Sequence, residues 1–212
     1  MTGTPNRDPV IALDVMSGEA GAAEAVSAAD IAAERYPRLS FLLYGHQDVI
    51  AAELARWPRL AARAEVIHSE DVVAMSDKPS QALRRARNTS MGMAIDAVKQ
   101  GKANAAVSAG NTGALMAMSL FSLRTMPGID RPALAAVLPT LKSESVMLDL
   151  GANTECDATN LVQFAVMGAA FARTVLGLER PKVALLNIGE EELKGTGKIR
   201  AAATVLKGAR LP

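Results

Sequence analysis

Short apolar runs alternate along this chain with longer stretches in which apolar positions recur every three or four residues. Seven runs predict strands: VIALDV (10–15), LSFLLYG (39–45), AEVIHS (64–69), NAAVSAG (104–110), ALAAVLPT (133–140), SVMLDLG (145–151) and PKVALLNIG (181–189). Between them the spacing predicts helices from about Ala22 to Tyr36 and from Asp48 to Arg56, the latter ended by Pro58. A further helix starts near Asp77-Lys78-Pro79-Ser80 and carries QALRRARNTSMGMAIDAVKQG, with a break at Asn88 to Ser90. The stretch NLVQFAVMGAAFARTVLG puts Leu161, Phe164, Ala165 and Gly168 at helical spacing, and a last helix runs from about Thr196 to Lys207. Strands that alternate with helices imply an α/β fold, a mostly parallel sheet covered on both faces.

Composition narrows the function. Half of the 212 residues are hydrophobic but only 3% are aromatic, so the core is aliphatic. That argues against single-stranded nucleic acid, which is gripped by stacked rings. A formal net charge of +1 argues against nucleic acid and membrane surfaces as general partners. The one cysteine, Cys156, excludes an intrachain disulfide and a multi-cysteine zinc site, and points to a reducing, cytoplasmic setting. The opening MTGTPNRDPVIALDVMSG lacks the long apolar region of a secretory signal, and no 18 consecutive apolar residues occur. ALMAMSLFSL (114–123) is apolar but short and is expected to be a buried helix.

Four polar or glycine-bearing corners fall where strands are expected to end: DVMSGEAG (14–21), SAGNTG (108–113), DLGANTEC (149–156) and NIGEEELKG (187–195). In open α/β sheets, ligands bind outside the carboxyl ends of the strands. Glycine lets backbone approach a ligand closely, and a following helix offers unpaired N–H groups to an anion. In the second corner Ser108, Asn111 and Thr112 add side-chain donors, so this corner suits a phosphate. None of the four fits the dinucleotide fingerprint or the nucleotide P-loop.

With these corners in place, the chain resembles the bacterial phosphate acyltransferase family (PlsX). The blocks that carry the resemblance are IALDVMSGEAG, VIHSEDVVAMSDKPSQALRRARNTSM, VSAGNTGALMA, GIDRPALAAVLPT, LDLGANTECDATNLVQFAVMG and LLNIGEEELKG. They differ from the family pattern at Ser17, Glu19, Arg87, Thr89 and Glu155. The resemblance implies a three-layer α/β/α sandwich similar to phosphotransacetylase and the isopropylmalate dehydrogenase-like folds, here as one α/β domain over residues 1–212. Family members continue past the position of Pro212, into further site loops and membrane-contacting helices, so the chain is expected to be incomplete at its C-terminus.

The implied reaction transfers a fatty acyl group from acyl-acyl carrier protein to inorganic phosphate. The product, acyl-phosphate, feeds phospholipid synthesis and a downstream acyltransferase. Lys194 is expected to be the main cation, with Asn111 and Asn153 as neutral donors to the developing oxyanion. Ser108, Gly110, Thr112, Gly113, Asn187 and Gly189 are expected around phosphate. Arg84, Arg85 and Arg87 are expected to receive the acidic carrier protein. The acidic run Glu190–Glu192 either points away from the anion or pairs with Lys194. His68 reads as structural, and Cys156 has no activating partner nearby in sequence. No cofactor and no metal are expected; a homodimer and peripheral membrane contact belong to the longer family members. Two other readings stay open: a phosphotransacetylase-like enzyme using coenzyme A, and a non-catalytic module that binds phosphate or partners.

Overall fold

The computed structural model describes residues 8–189, 191 and 194–209. They fall into two compact units, one up to Arg124 and one from Thr125 onward.

The first unit is built on four parallel strands in the order β3-β2-β1-β4. These are β1 (Val10–Asp14), β2 (Ser40–Gly45), β3 (Ala64–His68) and β4 (Ala105–Ser108). Side chains alternate between the faces of a strand, so each apolar run supplies both. On one face Ile11, Leu13 and Val15 join Phe41 and Leu43, and α1 (Gly21–Arg35), α2 (Gln47–Leu54) and the short α3 (Pro58–Ala61) cover them with Val26, Ala29, Ala33, Ile50, Leu54 and Leu60. On the other face Ala12, Leu42, Tyr44 and Ala106 meet Ala94 and Ala97 of α5 (Ser90–Lys99). Beyond α5, a second cluster of Val73, Ala82, Met91, Ile95, Ala114 and Met118 binds α4 (Pro79–Arg84) and α6 (Thr112–Leu123) to it. Helices on both sides of a parallel sheet give the expected three layers.

The break expected near Asn88 is a single 3-10 turn, Ala86–Asn88, after which Thr89 caps α5. The Thr89 hydroxyl donates to the Ala86 carbonyl at 3.0 Å and accepts from the Gly92 amide at 3.1 Å. The turn therefore folds back on the helix it precedes. A Cβ on Gly92 would overlap the Ala86 carbonyl oxygen.

The second unit holds an antiparallel pair, β5 (Ala135–Pro139) and β6 (Glu144–Leu148), and two helices, α7 (Ala158–Leu176) and α8 (Gly197–Gly208). The predicted strands 133–140 and 145–151 both form, but not as members of a parallel run. Only a few residues separate them, and a parallel return needs a crossover of a dozen or more. The Thr140 amide donates to the Ser143 carbonyl at 2.8 Å to close the hairpin. Residues 181–189, also predicted as a strand, have no regular structure. A strand exists only where a neighbour completes its ladder, and Leu186 and Ile188 stand 82% and 85% exposed.

A capping box opens α7, with Asp157 and Asn160 exchanging side-chain and backbone bonds, and Gly177 closes it in the left-handed conformation. By length and composition alone this 19-residue helix is apolar enough to cross a membrane. Here it packs on β6 and α8 and buries Phe164, Ala165, Ala169 and Ala172. The α6 helix is less buried than its composition suggests. Ala114 and Met118 face inward, while Leu120, Phe121 and Leu123 are exposed.

Alanine is the better helix former by about 1 kcal/mol at an interior position. Gly92→Ala is nevertheless expected to lower stability by about 1–3 kcal/mol, because the new methyl group meets backbone that cannot rotate away. Urea denaturation of the two proteins, compared at equal slope, measures this.

Candidate functional site

Two of the four glycine corners belong to the first unit and leave the carboxyl ends of adjacent strands. Asp14 and Ser108, the last residues of β1 and β4, are register partners. The Ser108 hydroxyl donates to Asp14 Oδ2 at 2.7 Å, and its oxygen accepts from the Gly110 amide at 3.1 Å. Asp14 is fully buried, and its Oδ1 has no protein partner; the same holds for the buried hydroxyls of Ser17, Ser69 and Ser90. The two corners are packed against each other. A Cβ on Gly110 would lie 2.5 Å from Cβ of Ser17 and 2.9 Å from Cε of Met91. Glycine is required at 110 because no room exists for anything larger.

Asn111 ends the corner as the N-cap of α6. Its Oδ1 accepts from the Ala114 amide at 3.0 Å. Its Nδ2 donates to the carbonyls of Met75 at 2.8 Å and Asp77 at 3.0 Å. All of the side chain's strong bonding capacity thus lies within the fold. The first amides of a helix have no intrahelical acceptor. Asn111 satisfies that of Ala114, while those of Thr112 and Gly113, both exposed residues, have no intrahelical acceptor at the positive end of the helix. Of the expected phosphate ligands in this corner, Ser108 and the Gly110 amide are engaged internally, while Thr112 and Gly113 are open.

The three arginines of ALRRARN differ. Arg84 and Arg87 are exposed. Arg85 lies between two carboxylates, with Nη1 2.9 Å from Asp71 Oδ1 and Nη2 2.5 Å from Asp77 Oδ2. The bond to Asp71 and the charges of Asp71 and Asp77 hold its guanidinium still more firmly protonated than usual. The sequence offered a signal for this division: aspartates eight and fourteen residues before Arg85.

In the second unit, the corner after β6 is organised by Asp149, a residue the sequence reading passed over. Its Oδ1 accepts from the amides of Leu134 at 2.8 Å and Ala152 at 3.3 Å. Its Oδ2 accepts from the Asn153 amide at 2.8 Å and from Asn153 Nδ2 at 3.0 Å. Partial burial opposes ionisation of Asp149, but these donors outweigh it and lower its pKa below the ordinary 3.8. Asn153 also donates to the Pro132 carbonyl at 2.9 Å, so both of its amide hydrogens are held within the corner.

The fourth corner is gathered by Asn187. Its Nδ2 donates to the Lys194 carbonyl at 3.2 Å and its Oδ1 accepts from the Ile188 amide at 2.9 Å. Lys194 is exposed, and its stem lies over Gly189, where a Cβ would sit 3.1 Å from Lys194 Cγ. The Lys194 amide donates to the Glu191 carbonyl at 2.9 Å. Glu190 and Glu192 lie outside the described residues.

His68 Nδ1 accepts from the Gln47 amide at 3.3 Å at the start of α2, which is a structural use of the ring. Burial pushes the Cys156 thiol pKa up, and Asp149 and Asp157 add to this, so the group is a poor thiolate. Among the described residues, no three of His, Cys, Asp and Glu are grouped to hold a metal ion.

A family model described as fatty acid synthesis protein matches residues 10–210. The chain is 58% identical over 202 residues to a phosphate acyltransferase of Erythrobacter litoralis, and 58% identical over 201 residues to one of Rhodospirillum centenum. Each match covers 95% of this chain and 57% of the relative, so the chain spans little more than half the length of these proteins. Among solved structures, a phosphotransacetylase of Streptococcus pyogenes superposes with a TM-score of 0.70 at 19% identity, over 96% of this chain and 65% of that one. That likeness supports the α/β/α fold.

The Asp149 carboxylate ionises at lower pH in the folded chain than in the unfolded one. Its ionisation therefore stabilises the fold above the ordinary carboxylate range, and the contribution is lost as pH falls through the lowered value. Asp149→Asn is expected to be less stable than the parent at pH 7 by about 1 kcal/mol, the scale of hydrogen bonds at a partly exposed corner. The gap should narrow as pH falls through the ordinary carboxylate range and below it, which urea midpoints along a pH series measure.

Proposed function

The chain belongs to the fatty acid synthesis protein family, and we propose from that premise that it takes part in acyl transfer from a thioester of acyl carrier protein to inorganic phosphate. In this reaction a phosphate oxygen attacks the thioester carbonyl carbon. A C–O bond forms, the C–S bond breaks, and the carrier's thiolate leaves and takes up a proton. The products are an acyl-phosphate, an activated acyl donor suited to phospholipid synthesis, and the free carrier protein. Phosphate near neutral pH is largely a dianion and needs no strong base. The protein's task is to hold it, to align the thioester and to stabilise the oxyanion.

The observation within the fold that best supports this reading is the open start of α6. Thr112 and Gly113 are exposed residues at the carboxyl edge of the sheet, and their amides, which have no intrahelical acceptor, suit an anion with no basic side chain required. We assign phosphate to these two amides and the Thr112 hydroxyl, with Ser108, Gly110 and Asn111 shaping the corner. In the second unit we assign Lys194 as the reaction's cation, Asn187 and Gly189 as the frame of its loop, and Asn153 as the brace of the corner after β6. Arg84 and Arg87 are the docking charges for the acidic carrier protein. Dimer formation and peripheral membrane contact are assigned to the longer proteins of the family, and the compartment to the cytoplasm.

A second reading is favoured by Asn111 and Asn153, whose side-chain amides are held by carbonyls and a carboxylate within the fold. In it, this chain binds phosphate and the carrier protein without turnover. The two are separated by incubating it with acyl carrier protein thioester and phosphate and trapping acyl-phosphate with hydroxylamine. Binding without hydroxamate favours the second.

Lys194→Ala is expected to lower acyl-phosphate formation by about two to three orders of magnitude, the scale of one removed oxyanion or phosphate donor. An unchanged rate removes Lys194 from the mechanism. The double variant Arg84→Glu/Arg87→Glu is expected to weaken carrier-protein binding about tenfold at low salt, since rim charges act by long-range attraction. Phosphate affinity should be unmoved, and equal loss of both counts against the docking assignment.

A further inference from the structure

We propose that Arg85 is a positioning residue: it folds the loop of residues 71–77 into a strap that fixes Asn111, and through Asn111 the two open amides of α6. The inference rests on the phosphate reading of that helix start and adds a part of its machinery that no residue pattern assigns.

Every link is a hydrogen bond within the first unit. Arg85 joins Asp71 and Asp77 through two different nitrogens of one guanidinium. At one end of the strap, the Asp71 amide donates to the Asn88 carbonyl at 3.1 Å, and the Asp71 carbonyl accepts from the Ser90 amide at 3.1 Å. This pins the strap to the start of α5. At the other end, Asp77 Oδ2 also accepts from the Ala74 amide at 2.9 Å, and the Asp77 amide donates to the Ala74 carbonyl at 3.1 Å, which shapes the tight turn 74–77. That turn presents the carbonyls of Met75 and Asp77 to Asn111 Nδ2. Immediately beyond it, Pro79 approaches Gly113, where a Cβ would lie 2.9 Å from Pro79 Cγ. One loop therefore ties the starts of α5 and α6 together.

The strap has little else to hold it. Within 70–78, Val73 is the one buried apolar residue, and the loop has no regular structure beyond the isolated bridge of Asp71 to Thr89. Two carboxylates converge on Arg85; without it they face each other and repel. The turn then opens, Met75 and Asp77 withdraw their carbonyls, and Asn111 is free to leave its cap. Lysine cannot substitute fully, since a point charge does not span two carboxylates as a planar fork does. The side chain of Arg85 is 37% exposed, yet its fork is occupied, which sets it apart from exposed Arg84 and Arg87.

The test is a titration of the isotopically labelled 212-residue chain with inorganic phosphate, read by NMR at the amides of Thr112 and Gly113. The Asn111 side-chain amide reports on the strap. In Arg85→Met the phosphate dissociation constant at those two amides is expected to rise about tenfold, the size of a lost charge-assisted bond. Hydrogen exchange at Asn111 Nδ2 should accelerate with it. Arg85→Lys should fall between parent and Met variant. Asp77→Asn, which keeps the carbonyl that Asn111 uses, should resemble Arg85→Met and carries the test if the latter does not fold. A residue serving stability alone would lower the denaturation midpoint and leave the affinity of folded protein unchanged. Unchanged affinity in all three variants overturns the inference. Parent amides at Thr112 and Gly113 that ignore phosphate overturn the phosphate reading itself, and the inference with it.

Discussion

A helix cannot satisfy its own first amides, and the first unit is arranged around how α6 meets that constraint. The Asp14–Ser108 bond sets the direction in which the chain leaves β4. Ser108 then holds the Gly110 amide, so the turn is tight before the helix begins. Asn111 satisfies one helical amide and is itself held from behind by two carbonyls of a neighbouring loop. What remain are the amides of Thr112 and Gly113, which have no intrahelical acceptor. On the phosphate reading proposed above, donors held in this way need no rearrangement when the anion arrives.

Much of this was legible in the sequence because it is local. The apolar runs located every strand of the parallel sheet, since alternate residues of 10–15 and 39–45 had to serve two buried faces. The break before Ser90 was visible as Asn-Thr-Ser, residues that bond their own backbone more readily than a helix does. The glycine corner 108–113 stood out because its composition changes so abruptly from the alanine-rich flanks.

What was hidden depends on partners distant in sequence. The apolar run 181–189 looks like any other strand, but pairing is decided by what lies beside it. The antiparallel pairing of β5 and β6 was in principle readable from the short connection between them. Asn111 and Asn153 were correctly noticed as polar residues in tight corners, yet nothing in the sequence says whether an asparagine's hydrogens face a ligand or a carbonyl. The overlooked residues share a signature. Asp14 and Asp149 each follow an apolar run directly; Asp14 takes the hydroxyl of Ser108 from the neighbouring strand, and Asp149 gathers the amides of the corner behind it. The carboxylate directly after β6 is a nucleus for the loop that follows.

The strand order β3-β2-β1-β4 has a consequence for how the chain comes into being. Ile11 pairs with Phe41 on one side and with Ala105 on the other. During synthesis β1 therefore finds its first neighbour early and waits for the second until some sixty more residues have left the ribosome. Until then one side of the central strand, and the carboxylate of Asp14 at its tip, have no ladder and no serine to meet. The longest-range strand pairing of the sheet and the assembly of the 108–113 corner are the same event.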